Sequence, residues 1–419
     1  MNKMKTKRKK IWILQTGEPV HSDLNFRPMR AINLSNALVK KGHHVTLWTS
    51  SFFHQQKKQR FKGFHSLQIS DSLVINFIPS PGYKSNISFG RLFDHAILAI
   101  NFFNIIKRSE NLPDKAFIGY PPIETSFIFS RWLKKNNIPY YVDLKDQWPH
   151  IFLEPFPKLI QFIIKIILFP YFYMGKYSLK NSEGYISMSS GYIDWMNNFG
   201  GNSRKSFVAP LTAKRPSYSF DFSDEILEWF KSENINFTND LRFCFIGSFM
   251  SVFDFSPIRH AIEELNSQNY DFEVLMCGDG GFYDEIKKEF SSIRNVKFTG
   301  WINEEQIRAI YKISRASLVP YKNIDNYKIN TPNKVVDAFA NKRPIITSLK
   351  GEVERLCNSY RVGFACHSDT NLQFFDAMRL LLTDNVLNND MRNNAYELYE
   401  EIFSFDKVYD SLAEFIINN

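Results

Sequence analysis

The sequence predicts an α/β protein built from two doubly wound, Rossmann-like domains facing a cleft. Three observations predict it. Short apolar runs alternate with stretches of helical periodicity, the pattern of parallel strands covered by helices on both faces. The alternation stops near 211–240, where the composition turns polar and charged, and then restarts. The 419 residues suit two to three domains of about 150 residues each.

In the first domain, 1–215, the run 11–14 reads as a buried strand. Residues 29–40 follow as a helix, with Met29, Ile32, Leu34, Ala37 and Leu38 on one face and Gly42 closing it. Strands are expected at 45–48, 73–78, 116–120, 140–144 and 185–188. Helices are expected around 92–106 and 124–134. In the second domain, 216–405, strands are expected at 243–246, 272–277, 296–299, 316–320, 344–347 and 362–366. Helices are expected at 257–265, 304–314 and 332–340, and over most of 370–417. In open sheets of this kind ligands bind beyond the carboxyl ends of the strands, and two facing domains favour a site in the cleft.

The apolar and charged shares are ordinary for a globular protein, which argues against disorder and collagen-like chains. The net charge of +9 is unevenly spread. Residues 1–215 hold 31 basic and 12 acidic side chains, and the remainder 21 and 31. A basic half suits an anionic partner: nucleic acid, anionic lipid or a phosphorylated substrate. Cys244, Cys277, Cys357 and Cys366 form no CxxC and read as small buried hydrophobes of a reducing compartment. No His pair has metal-ligand spacing. The basic N-terminus is followed by too short an apolar run for a signal peptide. The stretch 159–173 contains Lys165 and Pro170 and is short for a membrane span. It reads either as an amphipathic interfacial helix or as an ordinary buried one.

Four segments carry candidate chemistry. Gly17, in the turn after the first strand, lets backbone approach a ligand, and Arg27 and Arg30 open the next helix; the plain alternative is a turn with solvated arginines. Asp143, Lys145, Asp146 and His150 crowd the end of the 140–144 strand as possible proton acceptors or hydrogen-bond partners. The alternative there is that an aspartate caps a turn or pairs with Lys145. Cys277-Gly278-Asp279-Gly280-Gly281 has Tyr283 where a dinucleotide fingerprint needs its third glycine, so it reads as a sharp structural turn. Thr331 and Pro332 suit the N-cap and first position of a helix. The amides of Asn333 and Lys334 then head that helix, an end that attracts phosphate, aimed into the interdomain cleft. Asp337 shares the face of Asn333 and is placed to accept ribose hydroxyls. The alternative is a well-capped surface helix.

Taken in order, these pieces resemble a retaining, metal-independent glycosyltransferase of family 4, with the GT-B fold. The resemblance runs through the Gly17 loop, Arg27-Pro28-Met29-Arg30, Lys41-Gly42-His43-His44-Val45-Thr46 and Thr49-Ser50-Ser51-Phe52-Phe53-His54. It continues in Asp143-Leu144-Lys145-Asp146-Gln147-Trp148-Pro149, Phe245-Ile246-Gly247-Ser248, Cys277-Gly278-Asp279-Gly280, Phe298-Thr299-Gly300-Trp301 and Pro332-Asn333-Lys334. Its flavour is that of members that build bacterial surface polysaccharides such as O-antigen or capsule.

The resemblance implies transfer of a hexosyl or N-acetylhexosaminyl group from a nucleotide sugar to a lipid-linked or glycan acceptor, with retention. It implies catalysis by Asp143, Lys145 and Asp146. The donor would be held by Gly17, Ser248, Trp301, Asn333, Lys334 and Asp337, and the acceptor by Arg27, Arg30 and His150. Ile329 stands where the family's first acid would fall, and Ser248 and Asp254 where it often has Arg and Lys. Lys334, Lys322 or Lys328 would then supply the phosphate-binding charge. Lys145 occupies the place of a frequent histidine. No DxD occurs in the sequence, so no metal or cofactor is expected. Residues 406–419 resemble the helix that crosses back to the N-terminal domain. The basic half would face the cytoplasmic side of the inner membrane and a polyprenyl-diphosphate-linked glycan, with no nucleic acid partner. Two other readings stay open: a nucleotide-sugar epimerase of the same architecture, and a non-catalytic membrane-surface binding protein.

Overall fold

A computed structural model describes residues 8–23, 28–86, 88–201, 205–214, 221–238, 240–367 and 373–419. The described chain divides into two units, 1–209 with 409–419, and 210–408.

In the first unit the leading apolar run forms β1 (Lys10–Leu14), buried from Ile11 onward. Then come α1 (Arg30–Lys40), β2 (His44–Ser50), the short hairpin β3 (Phe52–Phe53) and β4 (Lys58–Gln59), β5 (His65–Ser70), β6 (Leu73–Ile78) and α2 (Phe89–Ile106). Next are β7 (Lys115–Tyr120), α3 (Ile123–Lys135), β8 (Tyr140–Leu144), α4 (Lys158–Ile167), α5 (Phe169–Lys180), β9 (Gly184–Ser187), α6 (Ser190–Gly200) and β10 (Ser206–Val208). The sheet order is β10-β9-β8-β7-β1-β2-β6-β5, parallel except that β5 runs antiparallel to β6. The order reverses between β1 and β7, the switch point where such sheets bind ligands.

Three differences from the sequence reading have local causes. β5 was not expected, because its residues alternate half-buried and exposed at a sheet edge. α2 starts at Phe89 because the Ser88 side chain caps it by accepting the Arg91 amide. The stretch 159–173 is not one helix. It breaks at Leu168, before Pro170 in the first turn of α5, and α4 and α5 meet at 77°.

The second unit restarts the alternation: α7 (Asp224–Ser232), β11 (Arg242–Ile246), α8 (Ser256–Ser267), β12 (Glu273–Cys277), α9 (Tyr283–Glu289), β13 (Val296–Gly300), α10 (Glu304–Lys312) and β14 (Ala316–Val319). It continues with α11 (Asp325–Lys328), α12 (Asn333–Ala340), β15 (Ile345–Thr347), α13 (Glu352–Tyr360), β16 (Gly363–Ala365), α14 (Phe374–Thr383) and α15 (Asn385–Leu398). Its all-parallel sheet, β13-β12-β11-β14-β15-β16, reverses between β11 and β14. Phe243, Phe245, Val274, Leu318, Val336 and Phe339 are among its fully buried core.

The last helix, α16 (Phe405–Asn418), counts with the first unit from Tyr409 onward. Lys9 and Lys115 both donate to the Ile417 carbonyl, at 2.5 and 3.1 Å. Two ammonium groups thus meet the negative end of the helix dipole. Phe415 packs on Tyr141 and Phe207.

Candidate functional site

The first unit has a pocket of about 220 Å³ at the carboxyl ends of β1, β2, β7 and β8. Two ion pairs stand at this end of the sheet, one of them in the pocket lining. Glu18 is buried and accepts the Ala31 amide at 2.9 Å, so its carboxylate sits on the positive end of α1, which no side chain of its own caps. The other Glu18 oxygen pairs with Lys145. Arg30 pairs with Asp143 at 3.5 Å and donates to the Ala209 carbonyl at 2.6 Å. Burial raises the Asp143 carboxyl pKa, against the pull of Arg30 and Lys145.

This geometry sorts the residues expected from sequence. Asp143 and Arg30, expected in catalytic and acceptor-binding roles, are buried, face each other as an ion pair, and are not among the residues lining the pocket. Lys145 lines the pocket with its charge matched by Glu18. Asp146 lines the pocket and opens to solvent, and the surrounding protein raises its pKa while Arg91 and Lys145 oppose the rise. Gly17, expected on the donor, lines this same pocket at φ 84°, a conformation that favours glycine. His150, expected on the acceptor, is not among the lining residues. It lies edge-on among Phe172, Trp195 and Phe199, and burial holds its pKa down at about 4, so it is a neutral packing residue. Arg27 lies outside the described residues.

The pocket also gathers residues that the sequence did not single out as site residues: His54, Tyr83, Arg91, Asp94 and His95. The Arg91 guanidinium lies over the Trp148 ring at 4.8 Å and the Tyr83 ring at 5.7 Å, and its Nε is buried without a hydrogen-bond partner. Asp94 accepts from the Ser80 hydroxyl and the Gly82 amide, holding the loop after β6. His54 bonds the Tyr83 hydroxyl and takes a 3.2 Å contact from Lys57. Burial, then Lys57 and Arg91, push its pKa down to about 4. His95 faces Glu124 at 3.7 Å, and burial pushes its pKa down to about 3. The signal that would have found this group is the carboxyl-end rule applied to β2 and β6 as well as to β1 and β8.

In the second unit the loops after β11, β12 and β13 close on one another through glycines. A Cβ at Gly278 would overlap the Gly247 carbonyl, and one at Gly280 would overlap Phe249 backbone. The Gly278 amide donates to the Gly300 carbonyl at 2.7 Å. Lys334, in the first turn of α12, reaches under this assembly. Its ammonium donates to the Ile246 carbonyl at 2.7 Å, lies 4.9 and 5.2 Å over the Phe245 and Phe253 rings, and occupies the space a Cβ at Gly247 would need. Burial lowers its pKa to about 8, while Asp337 favours the charged form.

The N-terminus of α12 differs by one residue from the sequence reading. Pro332, with extended backbone, holds the N-cap position, and Asn333 is the first helical residue. Thr331 is buried and does not cap it. The Asn333 and Lys334 amides therefore head the helix with no side chain capping them. Asn333 and Ser248 are exposed, Asp337 is half-buried one turn on, and Trp301 is 75% exposed after Gly300. Lys334 is thus a cation at the β11/β14 switch point of this sheet.

Residues 227–398 match the family Glycosyl transferases group 1. The chain has the GT-B fold, and its second unit carries a glycosyl transferases group 1 domain. That domain spans the whole assembly around Lys334, from α7 to α15. No curated protein matches the chain. Among solved structures it is similar to a sucrose-phosphate synthase from Thermosynechococcus elongatus, with 13% identity over 97% of this chain and 98% of that one at a TM-score of 0.67. It is similar to HepE from Anabaena in complex with UDP and glucose, with 12% identity, 98% and 100% coverage and a TM-score of 0.61. It is also similar to WaaG, a glycosyltransferase of lipopolysaccharide biosynthesis, with 13% identity, 98% and 100% coverage and a TM-score of 0.61.

Proposed function

We propose that the chain transfers a hexosyl or N-acetylhexosaminyl group, with retention and without a metal, from a nucleotide sugar to a lipid-linked glycan. The product belongs to a bacterial surface polysaccharide, and the work is done at the cytoplasmic face of the inner membrane. The observation that carries this reading is Lys334. A half-buried ammonium, hydrogen-bonded to a neutral carbonyl beside an uncapped helix N-terminus, is a preformed site for a diphosphate. As the donor bond breaks, negative charge grows on the departing nucleoside diphosphate. Lys334 and the Asn333 and Lys334 amides stabilise that charge without reorganising. Asp337 takes the ribose hydroxyls and Trp301 lies beside the base. The pocket of the first unit takes the acceptor, with Asp146 as the open carboxylate for its hydroxyl and Arg91 as the cation for an acidic group on it.

A thermal-shift screen of uridine, guanosine and adenosine diphosphate sugars tests the donor half, because a ligand of the folded state raises apparent stability by mass action. UDP sugars are the first to try, since HepE binds UDP. One nucleotide class should stabilise the wild type and not Lys334→Ala. If no class separates the two proteins, the donor site is elsewhere.

A further inference from the structure

We infer that α4 is a membrane-docking helix, inserted edge-on into the interface of an anionic bilayer. None of its ten residues is buried. Leu159 is 83% exposed, Ile167 70% and Phe162 69%, with Ile163 and Ile166 beside them. A helix whose apolar face meets only water is costly, and ten residues are too few to hold a helix on propensity alone. The polar residues Lys158, Gln161 and Lys165 fall on one flank of its helical wheel, opposite the centre of the apolar arc. The 77° bend returns α5 to pack on α3 while α4 stays outside.

Charge selects the occupant. Residues 155–182 contain Lys158, Lys165, Lys176 and Lys180 and no Asp or Glu. All four lysines are exposed. Two copies joined through α4 would bring like charges together with no acid from this segment to pair them. An acidic lipid surface satisfies both features. The apolar arc enters the acyl boundary, and the lysine stems lie along it with their ammonium groups at the headgroups. Phe169 and Tyr173, exposed at the start of α5, suit the headgroup level where aromatic rings collect. The other long apolar helix, α2, does not present this case, because it buries Leu98, Ala99, Phe102 and Ile106 in the core.

This inference stands apart from the proposed reaction, since it needs only exposure and charge. The test is co-sedimentation of the full chain with vesicles of pure phosphatidylcholine and of phosphatidylcholine with phosphatidylglycerol, at low and high salt. Wild type should pellet with the anionic vesicles at low salt and be released by salt. Phe162→Ser with Ile166→Ser should lose binding at least tenfold. Lys158→Gln with Lys165→Gln should lose mainly the anionic preference, by roughly fivefold per lysine. Equal pelleting of wild type and the Ser variant, or no pelleting of wild type at low salt, overturns the inference. So does concentration-dependent self-association that the Ser variant abolishes while vesicle binding is absent. Donor binding measured without vesicles should be the same in all three proteins, so failure here and failure of the donor site are told apart.

Discussion

Lys145 is ion-paired to Glu18, and the other oxygen of that carboxylate holds the Ala31 amide at the head of α1. A lysine at the end of β8 thereby fixes the entry of a helix more than a hundred residues earlier in the chain. Lys145→Ala would leave a buried carboxylate with only the helix end for compensation. The expected loss is roughly 2 kcal/mol, below the figure for a fully buried pair because the lysine is partly solvated. Thermal melting should fall by several degrees. Lys145→Met combined with Glu18→Gln should recover part of it, since removing both charges removes the imbalance. A catalytic lysine would instead lose turnover with its melting temperature unchanged.

Gly247 and Lys334 compete for one volume. Gly247→Ala should expel the ammonium and weaken donor binding about as much as Lys334→Ala, on the order of 10–100-fold in Kd for one charged hydrogen-bonding group. The double variant should be no weaker than the worse single one, because both remove the same cation. Additive losses in isothermal titration would show that Gly247 acts by a separate route.

Much of this architecture was legible because its causes are local. The apolar runs of β1, β7, β8, β11 and β12 stand where their sequences put them, each bounded by turn residues. The same locality explains the misses. The edge strand β5 has alternating exposure and no long apolar run. The break at Leu168 goes with Pro170, a local signal, and what the sequence hides is that the 77° bend there carries α5 onto α3. At the sites, glycine turns and the Lys334 helix were readable from spacing. The Arg30–Asp143 pair was not, because each residue alone looks like a free charge at the mouth of a turn. Only the fold, which brings the start of α1 to Asp143 on β8, reveals that they face one another in the interior. Arg91 stayed hidden for a related reason: its partners Tyr83 and Trp148 lie 8 and 57 positions away in the sequence.

Arg91 is a pocket cation whose Nε is buried without a partner. If it grips an acidic group of the acceptor, Arg91→Lys should raise the acceptor KM about tenfold, since an ammonium replaces a planar fork. Arg91→Ala should raise it further. The donor Kd, set in the second unit, should not move in either. A fall in kcat alone, with both affinities intact, would assign Arg91 to positioning Asp146, whose carboxyl it favours in the charged form.

Lys334 also fixes a pH dependence. Burial holds its pKa at about 8, below the 10.5 of a free lysine. The ammonium that meets the diphosphate is therefore present at pH 7 and lost as pH rises past about 8. Donor affinity of the wild type should fall through that range, and Lys334→Ala should be weak and flat. Stability runs the other way. Between about pH 8 and 10.5 the unfolded chain still carries this proton and the folded one does not, so the contribution of Lys334 to folding rises with pH. Titration calorimetry and thermal melting across pH 6.5 to 9.5 should thus diverge at this residue: binding weakens where its share of stability grows. Parallel decline of both would mean that the donor is lost through unfolding, and that the ammonium under Gly247 is not the group the diphosphate meets.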